Sequence, residues 1–188
     1  MEMTYPNCRT DFRMVNLCGL TKNTLIEAFA KNAILMNGHA DRLFASDLFR
    51  TSRTRYVVKT VELTVVNLGF PGGSTIDEIY ERAGQLGLGL CPLEMGPHLR
   101  LQYPDQPEGY WDKPVREHQA PYGAITIASG IPNEDEDEDF PKGFYLRRIK
   151  GVLWLRGYRS GPEHVWAPDD HFVFVEDRAQ AGPVQLAS

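Results

Sequence analysis

Between residues 144 and 158 apolar and polar side chains alternate on both sides of a Lys150-Gly151 pair, the signature of a β-hairpin. Phe144, Leu146, Leu153 and Leu155 fall on one face of the pleat, and Tyr145, Arg147, Trp154 and Arg156 on the other. A two-residue turn needs positive φ at its centre, which Gly151 adopts freely and Lys150 at some cost. The register that follows sets Ile149 opposite Val152, Arg147 opposite Trp154 and Tyr145 opposite Arg156. Such a hairpin has one apolar face to cover, so the chain needs further strands and at least one helix to pack on it.

The remaining periodicities supply them. Tyr56 to Val66 is rich in β-branched residues and reads as a strand. His98 to Tyr103 alternates, with Leu99, Leu101 and Tyr103 on one side and His98, Arg100 and Gln102 on the other, which predicts a half-buried strand. Ala124 to Ala128 and His171 to Val175 are two more. The clearest helix starts at Ser74 or Thr75, where Thr75 and Glu78 have capping-box spacing. Its apolar stripe runs through Ile76, Ile79, Tyr80, Ala83 and Leu86 to a stop at Gly87. Upstream, Thr24 and Glu27 mark a second helix start, Asn37-Gly38 its stop, and Asp41 to Phe49 a further short helix burying Phe44 and Leu48. Residues 1–20 have no clean period and read as an arm.

These elements predict an α+β fold: a mostly antiparallel sheet of about five strands with one packed helix, preceded by N-terminal helices. The polar stretch Thr51–Arg55 divides the chain into an N-terminal helical segment, residues 1–52, and an α+β core, residues 53–178. Residues 179–188 read as a disordered tail. Later strands supply the expected core through Phe144, Leu146, Leu153, Leu155, Phe172 and Phe174.

With 42% apolar and 24% charged residues the chain is a folding one, and a net charge of -5 argues against a dedicated nucleic-acid binder. No apolar run reaches the roughly 20 residues of a membrane helix, and the start lacks a signal-peptide pattern. Cys8, Cys18 and Cys91 have no zinc-ligand spacing and read as thiols kept reduced, which predicts a cytoplasmic protein. No membrane partner is expected.

The segment LGFPGGSTIDEIYERAGQLGLGLCPLEMGPHLRLQYPDQPEG, from Leu68 to Gly109, together with WLRGYRSGPEHVWAPDDHFVF, from Trp154 to Phe174, resembles a group of short bacterial proteins with no established activity. The resemblance covers roughly the last two thirds of the chain. It implies no catalytic residue, cofactor or partner.

Two polar surfaces emerge as ligand-binding candidates. The first is Glu94, His98, Arg100 and Gln102: an acceptor, an imidazole, a fork of donors and an amide suited to a small polar ligand or a protein segment. Its plain alternative is the solvent-facing side of an edge strand. The second is the outer hairpin face of Arg147, Trp154 and Arg156. There guanidinium–aromatic pairs stack, and six basic residues lie between Lys142 and Arg159 with no acidic one. Its alternative is a stable hairpin with a solvated face. The six-carboxylate run Glu134–Asp139, expected to be a solvated loop, stands ready to compete for those cations.

Weaker patterns are His164, Asp169, Asp170 and His171 as a metal group, Cys91 with a histidine as a nucleophile pair, and a helix-turn-helix over 74–96. For each the structural alternative is preferred. No cofactor or metal is assigned. The function expected first is a non-enzymatic binding or regulatory module for a small polar ligand or a protein partner. A small hydrolase with a His/carboxylate site comes second, and a single-stranded nucleic-acid binder third.

Overall fold

The computed structural model describes residues 4–109, 120–130 and 139–176. In chain order these form β1 (Asp11–Leu17), α1 (Lys22–Lys31), β2 (Leu35–Met36), α2 (Gly38–Ala45), β3 (Tyr56–Thr64), α3 (Ile76–Gln85), β4 (Leu88–Gly89), α4 (Met95–Gln102), β5 (Ile125–Ile127), β6 (Gly143–Ile149), β7 (Val152–Tyr158) and β8 (His171–Glu176). Eight strands join in one sheet of order β1-β3-β8-β5-β6-β7-β2, with β4 added beside β8. Most pairs are antiparallel, but β5 runs parallel to β8 and β2 parallel to β7.

This corrects the expected five-stranded, mostly antiparallel sheet with one packed helix: the sheet is mixed and carries four α-helices among the described residues. The N-terminal region is strand as well as helix. β1 pairs with β3 along its whole length, and β2 extends the hairpin edge.

Side-chain alternation gives the sheet two cores. Phe144, Leu146 and Leu155 pack with Leu25, Phe29, Phe44 and Leu99 of α1, α2 and α4. On the opposite side Phe172, Phe174, Val61 and Leu63 pack with Ile76, Ile79 and Ala83 of α3. β8 therefore serves both, Val173 one way and Phe172 and Phe174 the other. The expectation of one core holding Phe144 and Phe172 together fails on that alternation.

The hairpin has the register read from its sequence, and Lys150 and Gly151 take φ of 50° and 77°. α3 has the predicted capping box, with Thr75 and Glu78 each satisfying the other's backbone N–H. Three boundaries differ. The α1 cap is Thr21, whose side chain accepts from the Thr24 N–H. Asn37 opens α2 where a stop was expected, and Leu48 stays exposed. His98–Tyr103 is no strand: residues 98–102 complete α4, with Tyr103 its C-terminal cap. Pro97 sits in the first turn of α4, where no intrahelical N–H is required, so it does not break the helix. The carboxylates Glu134 to Glu138 and the 179–188 tail lie outside the described residues; Asp139 is exposed and ion-paired with Arg159.

A cationic cavity on the outer face of the hairpin

The register builds the candidate site. Phe172 lies opposite Thr126, Thr126 opposite Tyr145, and Tyr145 opposite Arg156. These four form a row across β8, β5, β6 and β7 on the α3 side of the sheet. The Thr126–Tyr145–Arg156 end of the row lines a cavity of about 240 Å³. Arg156 lies 5.1 Å from the Trp154 ring centroid and 6.0 Å from that of Tyr145, so aromatic faces hold its guanidinium.

The side wall comes from the start of α2. Asn37 accepts from the Ala40 N–H as helix cap, accepts from the Gly157 N–H at 2.8 Å and donates to the Gly157 carbonyl at 3.0 Å. Its amide thus continues the β2–β7 pairing by one side chain and fixes where the helix begins. His39 is thereby set on the cavity wall. Gly157 permits the approach: a Cβ there would stand 2.6 Å from the His39 carbonyl carbon and 2.7 Å from the Ala40 nitrogen.

The far wall is His164 and Trp166, their rings edge to face at 4.9 Å, with Tyr158 edge-on to Trp166 at 5.6 Å. Trp166 is buried, and its indole N–H has no acceptor among the described residues. Arg159 also lines the cavity but is ion-paired with Asp139. Arg156 has no carboxylate partner among the described residues. Burial first, and then the charges of Arg159, Arg42 and Arg156 against that of Asp139, hold the His39 imidazole below its ordinary pKa. Burial pushes the Tyr158 phenol up to about 12, so it is a neutral donor and acceptor at pH 7.

Of the sequence candidates, Arg156 lines this cavity. Trp154, half-buried, supports it through the stack. Arg147 is on the same face but only 9% exposed, so the outer hairpin face is no open solvent surface. The other four candidates lie elsewhere. Glu94 is buried; its Oε2 accepts from the Ser52 N–H and its Oε1 from the Tyr56 hydroxyl, each at 2.9 Å. His98 is 1% exposed; its Nε2 lies 3.9 Å from Glu94 Oε2 and has no hydrogen-bond partner among the described residues. Burial lowers its pKa against the pull of Glu94. It borders a separate hollow of about 470 Å³ between α4 and the β1 edge, with Leu17, Leu20, Val57 and Leu101.

Arg100 is fully buried. It donates to Gln106 Oε1 and to the Tyr103 carbonyl, and burial lowers its pKa to about 10. The expected outward display of this guanidinium fails because helical spacing turns residue 100 inward. Gln102 donates to the Asn16 carbonyl at 2.8 Å and accepts from the Asn16 N–H at 2.9 Å, capping the β1 edge. The two candidate surfaces thus belong to different places, and Glu94, His98, Arg100 and Gln102 do not share one face.

Sequence reading gave no site role to Asn37, which it took for a helix stop, or to His39, Thr126 and Trp166. Asn before a helical stretch is an N-cap signal that would have found the first. Cys91 is buried and burial raises its thiol pKa, which leaves it an apolar packing residue. Among the described residues no group of three or more His, Cys, Asp or Glu is placed to hold a metal, and no helix is long and apolar enough to cross a membrane. Comparison of the chain with protein-family models, with curated proteins and with solved structures returns no match.

Proposed function

We propose that this protein is a non-enzymatic binding module that takes a small anionic ligand in the hairpin cavity, with Arg156 as the charge anchor. The observation that supports it is a half-buried guanidinium on the cavity wall with no carboxylate partner among the described residues. Burying an uncompensated cation is costly, and an entering anion recovers that cost. A charge-assisted, bidentate contact at such a place gives both affinity and orientation. A cytoplasmic setting belongs to the same proposal, resting on three cysteines that form no disulfide.

The hydrolytic reading has less behind it. Glu94 spends both oxygens on Ser52 and Tyr56, and the His98–Glu94 separation of 3.9 Å is too long for an oriented dyad. The nucleic-acid reading loses Tyr145 and Arg147 as displayed groups, since both are buried.

The test is a thermal-shift screen of small carboxylates and phosphates at low ionic strength. A ligand present at ten times its Kd raises the wild-type Tm by about 4 °C. That shift is lost in Arg156→Gln and kept in Arg9→Gln, a charge deletion at an exposed site away from the cavity. Equal shifts in both variants would remove Arg156 as the anchor.

A further inference from the structure

The cavity's size, its charge and its walls each narrow the ligand. A closed cavity of about 150 Å³ holds a benzene ring, so the space of about 240 Å³ here fits a single ring with one small substituent group. Of the two arginines on its wall, Arg159 is already compensated by Asp139, which leaves Arg156 as the one arginine of the wall without a carboxylate partner among the described residues. One uncompensated charge among the described residues matches a monoanion better than a phosphate dianion, whose second charge would lack a partner there. The walls are aromatic: Tyr145, Tyr158, His164 and Trp166. Trp166 already packs edge to face with Tyr158, His164 and Phe172, and an aromatic ligand in the cavity would add offset or edge-to-face contacts with the rings on its wall.

We propose that the ligand is a single-ring aromatic carboxylate, its carboxylate on Arg156 and its ring among Tyr145, His164 and Trp166. This rests on the anion-binding reading above. Its specificity comes from the aromatic walls, and its charge preference from the guanidinium.

Calorimetric titration of the whole chain separates the two ideas, using benzoate, cyclohexanecarboxylate, acetate, inorganic phosphate and benzamide at pH 7. Benzoate is expected to bind about three- to tenfold more tightly than cyclohexanecarboxylate, which matches its size and charge but lacks a π face. Acetate, phosphate and the uncharged benzamide are expected to be weaker still. If cyclohexanecarboxylate, acetate or phosphate equals benzoate, the aromatic assignment falls and anion binding stands. Benzamide binding as tightly as benzoate would remove the carboxylate and Arg156 from the account. Absence of binding by all five would overturn both readings.

Discussion

Gln106 carries the guanidinium of Arg100 through the interior of the protein. Its Oε1 accepts from Arg100 Nη1, while its Nε2 donates to the carbonyls of Gly123 at 3.0 Å and Leu146 at 3.2 Å. A neutral amide thereby ties α4 to β6 and to the start of β5, and gives a buried cation one of its two acceptors. Substituting Gln106→Leu leaves that cation with one carbonyl. The cost is about 2–3 kcal/mol, read from urea unfolding of the variant. A loss below about 0.5 kcal/mol would mean water replaces the amide.

Gln102 protects the β1 edge by pairing with both backbone groups of Asn16. Gln102→Ala is expected to cost about 1 kcal/mol and to speed hydrogen exchange at the Asn16 amide far more than at Val15, which points into the sheet. Unchanged exchange at Asn16 would contradict the edge-capping role.

Two carboxylates give stability opposite dependences on pH. Burial, partly offset by the Ala167 N–H, lifts the Asp170 carboxyl to about 6. The folded state then binds the proton more tightly than the unfolded one, so stability falls as pH rises from about 4 to 6. Asp170→Asn removes that slope, a change of about 2–3 kcal/mol across the window in a series of unfolding curves.

Glu62 behaves the other way. Burial would raise it, but the hydrogen bond from His171 at 2.8 Å and the charge of Arg13 at 2.7 Å outweigh burial and hold it low. Its contribution is present above the unfolded carboxyl range and lost as pH falls through the folded value. The His171 pKa is raised chiefly by the Glu62 hydrogen bond, so its share is present below about 6.5 and lost as pH rises through its folded value. Glu62→Gln should therefore cost most near pH 5–6, about 1–2 kcal/mol given the partial exposure of both partners, and less on either side.

Gly157 is where α2 meets β7. Gly157→Ala places a methyl group against the His39 and Ala40 backbone, and backbone cannot swing aside as a side chain can. The variant is expected to lose about 2–3 kcal/mol and to lose anion binding together with the Asn37 contacts. Stability and binding left as in the wild type would place the helix elsewhere.

The hairpin register and the α3 cap were legible because each rests on local geometry: pleat parity around a two-residue turn, and a T-x-x-E spacing. α4 was not, because apolar residues at 99, 101 and 103 suit a strand, while Gly96-Pro97 argues against a helix unless the helix starts just before them. β1 was hidden because Arg13 points inward with Val15 and Leu17, where it pairs with Glu62 and stacks on Tyr103. Only that long-range partner makes an inward arginine acceptable. Arg156 was picked out, but the cavity was not, since Asn37, Thr126 and Trp166 meet it only through the β5–β6–β7 register and the β2 extension.

Chemical-shift mapping tests the central claim most directly. In a ¹⁵N spectrum titrated with sodium benzoate, the account predicts perturbations centred on Arg156, including its Nε–H, and on Gly157, Thr126 and His39, with Asn16 and Gln102 unmoved. Perturbations centred on the α4–β1 hollow, or none at all, would contradict it.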